Sequence, residues 1–300
     1  FSTGLHSDVR QFELFLLPNT PMNKKSEREK YGIKTKWKKL WPYRLPDENG
    51  MVELVCGTDT MPFKDWLDCG AFSDIVVATF HNGGYTRFIS QFLYKEGHLS
   101  YYEFYDALFH YFKEKKDTLT GGILNRIIRL QKDYIEGDNV TVYGKVESQA
   151  DMLRDLRPYS SPAKVWWTHD WSWLKINEQI DAFYDEMKAF VKTLNIEISK
   201  TVLDDIFMFQ RDVMLKVDYD PKTGKKGSYH HNWVSYFAKE KSLQNGGHEV
   251  VFKDEAMGVQ SHHVLKKNDL KAFALAACGN YYPEGRHRRF FHQFDKMEVI

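Results

Sequence analysis

Between Ser100 and Glu136 the chain spells out two successive amphipathic helices, and that stretch limits the fold more than any other. Ser100 followed three residues on by Glu103 is a capping box, able to satisfy two orphan backbone donors reciprocally. Behind it Tyr101, Phe104, Leu108 and Phe112 recur at three or four residues, and lysines close the segment where the helix dipole favours cations. Thr118 and Thr120 each offer a cap to a second helix, whose Ile123, Ile127, Leu130 and Tyr134 again share one stripe. Trp173, Ile176, Ile180, Phe183, Met187 and Phe190 continue the pattern as one long helix, and Thr201 with Asp204 reads as a further capping box. Such stripes must be buried against one another, and 42% hydrophobic content over 300 residues supplies the core. The expected class is mainly α with a few short strands, an α+β chain.

The strands come early and late. Phe12, Leu14 and Leu16 alternate with Glu13, Phe15 and Leu17, but only eleven residues precede this run, so its sheet neighbours are expected to be encoded ahead of Phe1. Met51 to Val55 reads as a second strand. Pro62 opens an apolar segment from Phe63 to Tyr94, which the glycines after His81 and Asn82 divide into two helices. A polar stretch from Gly137 to Ser161 links the helices on either side of it. After Pro221 the run "GKKGSYHHNWVSYF" and the later "HEVVFKDE" are β-prone, followed by a helix at Asn268 to Ala277 and the tail "YYPEGRHRRFFHQF". Three parts result: residues 1–61, a helical domain at 62–216, and a small strand-containing unit with a basic tail at 217–300.

Composition excludes more than it selects. With 42 Lys and Arg against 41 Asp and Glu, no global charge draws the chain to nucleic acid or a membrane surface. The one strong local bias is Lys24 to Lys39, eight basic residues against two Glu, read as a solvated helix and loop. Three cysteines at wide spacing make neither a disulfide framework nor a zinc site, which suits a reducing cytoplasm. No stretch of eighteen apolar residues occurs, so no membrane span is expected. Phosphate-binding GxxxxGK, dinucleotide-binding GxGxxG and nucleophile-elbow GxSxG motifs are absent, and no catalytic residue is assigned.

Two segments hold the candidate binding residues. In "FHNGGYTRF" a helix break gathers His81, Asn82, Tyr85 and Arg87 beside the amides of a new helix start, a setting suited to an anion or carboxylate; the plainer reading is an interhelical turn capped by its own polar side chains. In "VWWTHDWSW" four tryptophans surround His169 and Asp170, and Trp166 and Trp167 read as a pocket wall, with core packing as the plainer account. The doubled histidines His230–His231 and His262–His263 project to opposite faces of a strand and so hold no shared metal. No metal ligand is assigned.

One resemblance adds to this reading. Leu17-Pro18-Asn19-Thr20 after a strand, then a charged helix to Tyr31-Gly32, Pro42-Tyr43 and Gly57-Thr58-Asp59-Thr60-Met61, stand in the order of the segment closing the barrel of cobalamin-binding radical SAM enzymes, the group of the anaerobic Mg-protoporphyrin ester cyclase. Asn19 replaces the usual glycine, which a left-handed turn tolerates. The resemblance covers the first 60 residues and, less distinctly, Phe80 to Tyr111. It implies that residues 1–61 are the remnant of a radical SAM barrel and that the helical part faces substrate. It also implies a parent chain holding a [4Fe-4S] cluster, S-adenosylmethionine and cobalamin, with the upstream barrel and cobalamin domain as partners. The cluster-binding Cys-x-x-x-Cys-x-x-Cys run is absent here, so this portion alone is expected to hold no cofactor and to be inactive. The alternative is a helical binding module gripping nucleic acid or another anionic partner through Lys34 to Tyr43 and Tyr281 to Phe291; nucleic acid is the less expected partner.

Overall fold

A computed structural model of the chain describes residues 14–39, 51–81, 83–136, 168–214, 224–238, 241–252 and 297–299. These residues are mostly helical and carry two three-stranded antiparallel sheets, in keeping with the α+β expectation. The first sheet runs β1 (Phe15–Leu16), β3 (Met51–Gly57), β2 (Lys34–Lys39). The opening strand therefore has a partner within this chain, because Phe15 lies opposite Leu54 and Leu16 opposite Glu53. That corrects the expectation of an orphan strand, although β1 sits at the sheet edge. Every strand pair among the described residues is antiparallel, so the parallel pairing of a barrel remnant is not seen there.

The alternation expected for β1 is also altered. Leu16 is buried and Phe15 packs on a small cluster with Leu54, Cys56, Trp66, Leu67, Tyr134 and Ile135, while Leu14 and Leu17 stay exposed. The strand ends because the chain turns at Asn19, which has φ +66°, and because Thr20 Oγ1 and Asn23 Nδ2 both donate to the Leu17 carbonyl. The basic run divides into two elements. Its first half is α1 (Lys25–Tyr31), stopped by Gly32 in the left-handed region, and its second half is β2 instead of loop. Lysines alternating with Thr35 and Trp37 give that half a period of two, and Lys38 tucks its ammonium against the Tyr134 ring at 5.4 Å.

The helical body comprises α2 (Phe63–Val76), α3 (Arg87–Lys95), α4 (Tyr101–Glu114), α5 (Leu119–Glu136), α6 (Thr168–Glu178), α7 (Ile180–Lys192) and α8 (Lys200–Asp212). The Ser100–Glu103 box forms as the sequence requires, with Ser100 N donating to Glu103 Oε2 at 2.7 Å and Glu103 N to Ser100 Oγ at 3.2 Å. Thr118 caps α5 through Gly121 N, but the first two free amides of that helix, Leu119 N and Thr120 N, donate to Glu186 of α7. The long helix of the sequence reading is two, broken at Gln179, where φ −137° and ψ 44° leave the helical region. The cap of α8 is Ser199, whose Oγ accepts from Val202 N; Asp204 faces Lys188 at 3.6 Å and takes no part in a box with Thr201.

A large core runs from Ala71 to Met297 and takes in the second sheet. That sheet orders β4 (Lys225–His231), β5 (Asn245–Phe252) and β6 (Met297–Val299), with α9 (Trp233–Ala238) inserted between the first two. Tyr229, Trp233 and Phe252 turn into the same aromatic core as Phe209 of α8. The stretch Gly137 to Ser161, the segment Asn268 to Ala277 and the basic tail lie outside the described residues. No described helix is long and apolar enough to cross a membrane.

Candidate functional site

The break that the glycines announce is built around a π-helical turn, Val77–His81, continuous with α2. Widening the turn frees carbonyls that an α-helix would occupy, and each must find a donor because the region is buried. Thr79 Oγ1 donates to the Ile75 carbonyl at 2.7 Å, and the Thr79 carbonyl accepts both Thr86 N and Thr86 Oγ1. The indole N–H of Trp173 reaches the Ala78 carbonyl at 3.2 Å. Gln210 of α8 bridges the far side, accepting Phe88 N at 2.8 Å and donating to the Gly84 carbonyl at 2.9 Å. Gly84 has φ +72°, and a Cβ on Gly83 would lie 1.5 Å from the Ala78 oxygen, so neither glycine is replaceable without moving backbone.

The structure brings the two candidate segments together at this turn. Tyr85 is wholly buried and its hydroxyl accepts from Asn177 Nδ2 of α6, while Trp173 of the same helix lies tilted against His169 at 4.8 Å between ring centres. His81 is wholly buried with its ring against Phe80, and the Arg87 guanidinium lies 5.0 Å from the Phe80 ring centre. Asn82, Trp166 and Trp167 lie outside the described residues, as does the side chain of Asp170. Around Phe80 stand Tyr101 and Tyr105, both buried; burial pushes the Tyr101 hydroxyl up to about 12, with Arg87 opposing it. Tyr105 shares its hydroxyl with Thr86 and Ser90. Chemically this is a dense set of donors and acceptors around one irregular turn, neutral but for the Arg87 guanidinium.

Two carboxylates were missed by sequence reasoning. Asp205 of α8 is buried to 2% exposure and accepts four hydrogen bonds: His230 N and His231 N at 3.0 Å each, His231 Nδ1 at 2.8 Å and Trp233 Nε1 at 2.8 Å. The signal was present, since Asp205 stands between Val202 and Phe209 on the apolar stripe, where an acid requires built-in donors. The pair His230–His231 does project to opposite faces, with His231 inward and His230 exposed, and His262–His263 lies outside the described residues. Asp74, at the end of α2, accepts Thr168 Oγ1 at 2.6 Å and Gln131 Nε2 at 3.5 Å. Burial, against those two hydrogen bonds, raises its carboxyl to about 6 although part of its surface stays open. No group of three His, Cys, Asp or Glu suited to a metal ion occurs among the described residues. Cys56 is buried and Cys69 exposed, far short of a three-thiolate cluster motif.

No family model matches the chain. It is, however, 37% identical over 301 residues to the cobalamin-dependent radical SAM methyltransferase TokK of Streptomyces tokunonensis, a match covering 99% of this chain and 44% of that protein. It is 35% identical over 300 residues to the 2-(S-pantetheinyl)-carbapenam-3-carboxylate methyltransferase of Streptantibioticus cattleyicolor, again with 99% and 44% coverage. The chain is therefore akin to a C-terminal portion of the cobalamin-dependent radical SAM methyltransferases, as the resemblance in its first 60 residues implied. It spans less than half the length of the two relatives.

Proposed function

We propose that this chain is the substrate-facing portion of a methyltransferase that uses cobalamin and S-adenosylmethionine, the portion itself holding neither. The observation that carries this reading is the match to TokK over 99% of the chain. The [4Fe-4S] cluster, cobalamin and S-adenosylmethionine belong, on this reading, to the rest of the parent enzyme, because the sequence here has no cluster-binding cysteine run. The edge of β1 that has no partner strand among the described residues is where strands of the parent barrel add, and residues 1–61 form the link to that barrel. Residues 62–216 and 217–300 are two parts that share one large core and act as one body.

Substrate meets this body at the segments around His81 to Arg87 and Trp166 to Asp170; α6, which begins at Thr168, packs on the first of them through Trp173 and Asn177. The substrate class follows from the name of the second relative: a carbapenam carboxylate carrying a thioether side chain. The test is to express the full parent gene without oxygen, load it with cobalamin and iron–sulfur cluster, and add S-adenosylmethionine, a reductant and 2-(S-pantetheinyl)-carbapenam-3-carboxylate. A product heavier by one methylene, seen by mass spectrometry, supports the reading. A loaded enzyme that cleaves S-adenosylmethionine but leaves this compound untouched refutes the substrate class, and a parent chain that binds no cobalamin refutes the reading as a whole.

A further inference from the structure

We infer that the outer face of the first sheet, centred on Trp37 and Met51, is the surface on which the remainder of the parent chain docks. The inference rests on the reading of this chain as a portion of a larger enzyme. Opposite residues in an antiparallel pair share a face, so the row Leu16–Glu53–Trp37 and the flanking Leu14, Val55 and Met51 lie on one side, and Phe15, Leu54 and Lys36 on the other. The second side is spoken for by the small core. On the first, Arg28 of α1 reaches over the strands to hydrogen-bond Glu53, which also accepts Thr35 Oγ1 at 2.6 Å, and this buries the middle of the face. Around that middle Leu14, Trp37 and Met51 remain 50%, 61% and 46% exposed.

The rest of the molecule does not look like this. Among the described residues, Leu14, Leu17, Met22, Tyr31, Trp37, Met51 and Met61 are exposed large apolar side chains within residues 14–61, whereas the far longer helical body and second sheet show Tyr94, Tyr102, Met208 and Val299. A concentration of this kind marks a contact surface. Its size decides the occupant. Strands of two, six and seven residues, at about 3.3 Å per residue and about 4.8 Å apart, give a face of roughly 240 Å², well under the roughly 800 Å² per partner that a stable complex of separate molecules uses. A tethered partner needs less, because its effective concentration is set by the linker. More than half the length of each relative lies outside the stretch matched here, which supplies such a partner.

Met51 and Met208 are 46% and 41% exposed, so they serve as a matched pair. In the full parent enzyme, peroxide oxidation should convert Met51 to its sulfoxide at least about fivefold more slowly than Met208, since oxidation follows access. The protection should not change with protein concentration. A photoreactive benzophenone side chain placed at position 37 then identifies what lies over the face. Cross-linked peptides from outside these 300 residues support the inference. Equal oxidation of the two methionines, protection that grows with concentration, or cross-links confined to this stretch or to a second copy overturn it. Cobalamin and cluster loading, read from the absorption spectrum of the same preparation, keep the two questions apart. A loaded enzyme with an open Met51 refutes the docking alone, and a protected Met51 in a chain that binds no cobalamin refutes the functional reading alone.

Discussion

The two sheets of this molecule are similar in size and opposite in dependence. The second is stitched to the helical body: Asp205 of α8 takes four donors from β4 and its continuation, and Tyr229, Trp233 and Phe252 sit in the main core. The first rests on a separate small cluster and turns apolar side chains to solvent. A sheet whose polar groups are satisfied inside the chain is part of its own fold, and one that leaves Trp37 and Met51 uncovered is built for contact with something else. The difference also separates two uses of a carboxylate. Asp205 is wholly enclosed by donors, whereas Glu53 is held by a partly exposed arginine.

The largest test of that contrast is Asp205→Ala. It strands four donors at once, three of them buried, and urea unfolding should show a loss of about 4 kcal/mol or more, the scale for breaking a buried polar network. A loss under about 1 kcal/mol would mean that the second sheet is not anchored there. A pair of matched truncations comes next. Phe252→Ala in the main core should cost about 3–5 kcal/mol, and Phe15→Ala, half-buried on the small cluster, clearly less, about 1–2 kcal/mol. Equal costs would erase the distinction between the cores.

Acid titration sharpens it further, because two carboxyls move in opposite directions. The hydrogen bond from Arg28 holds the Glu53 carboxyl below its ordinary 4.5, so its contribution is complete above that value and is lost as pH falls through the lower folded value. Burial lifts Asp74 from 3.8 to about 6, so the folded state binds its proton more tightly, and stability falls as pH rises from about 4 to about 6. Glu53→Gln should therefore lose about 1 kcal/mol at pH 7 and match the parent at acid pH, whereas Asp74→Asn should gain about 1 kcal/mol above pH 6 and nothing at pH 4. Thermal melts across that range check both signs. The smallest effect belongs to Trp37→Ser, which should leave the stability of this chain within about 0.5 kcal/mol, as an exposed side chain with no packing role does. A larger loss would show that the outer face is already covered by the chain itself.

What the sequence displayed and what it hid divide along local and long-range lines. The Ser100–Glu103 box, the stripe of α4 and α5, the break at the glycines that follow His81 and the left-handed turn at Asn19 all depend on neighbours a few residues apart, and all were legible. The partner of β1 was hidden because Phe15 meets Leu54 across 39 positions, a pairing that no local pattern encodes. The cap at Ser199 was displaced from Thr201 because Asp204 is drawn to Lys188 on another helix. Glu186 capping α5 is invisible for the same reason. At the candidate site, His81 and Tyr85 could be picked out by type and spacing. That Trp173 and Gln210 would spend their polar atoms on the carbonyls of the turn could not.

The turn at Val77–His81 has a consequence for how this chain tolerates change. A π-turn is a helix carrying one residue more than its ladder of bonds requires. Deleting one of the five would let the ladder close as a regular spiral, and the Ala78 and Thr79 carbonyls, now held by Trp173 and Thr86, would turn to donors within the helix. Substitutions that keep the length are a matter of packing, but a change of length here would unfasten the turn from α6 and from the start of α3.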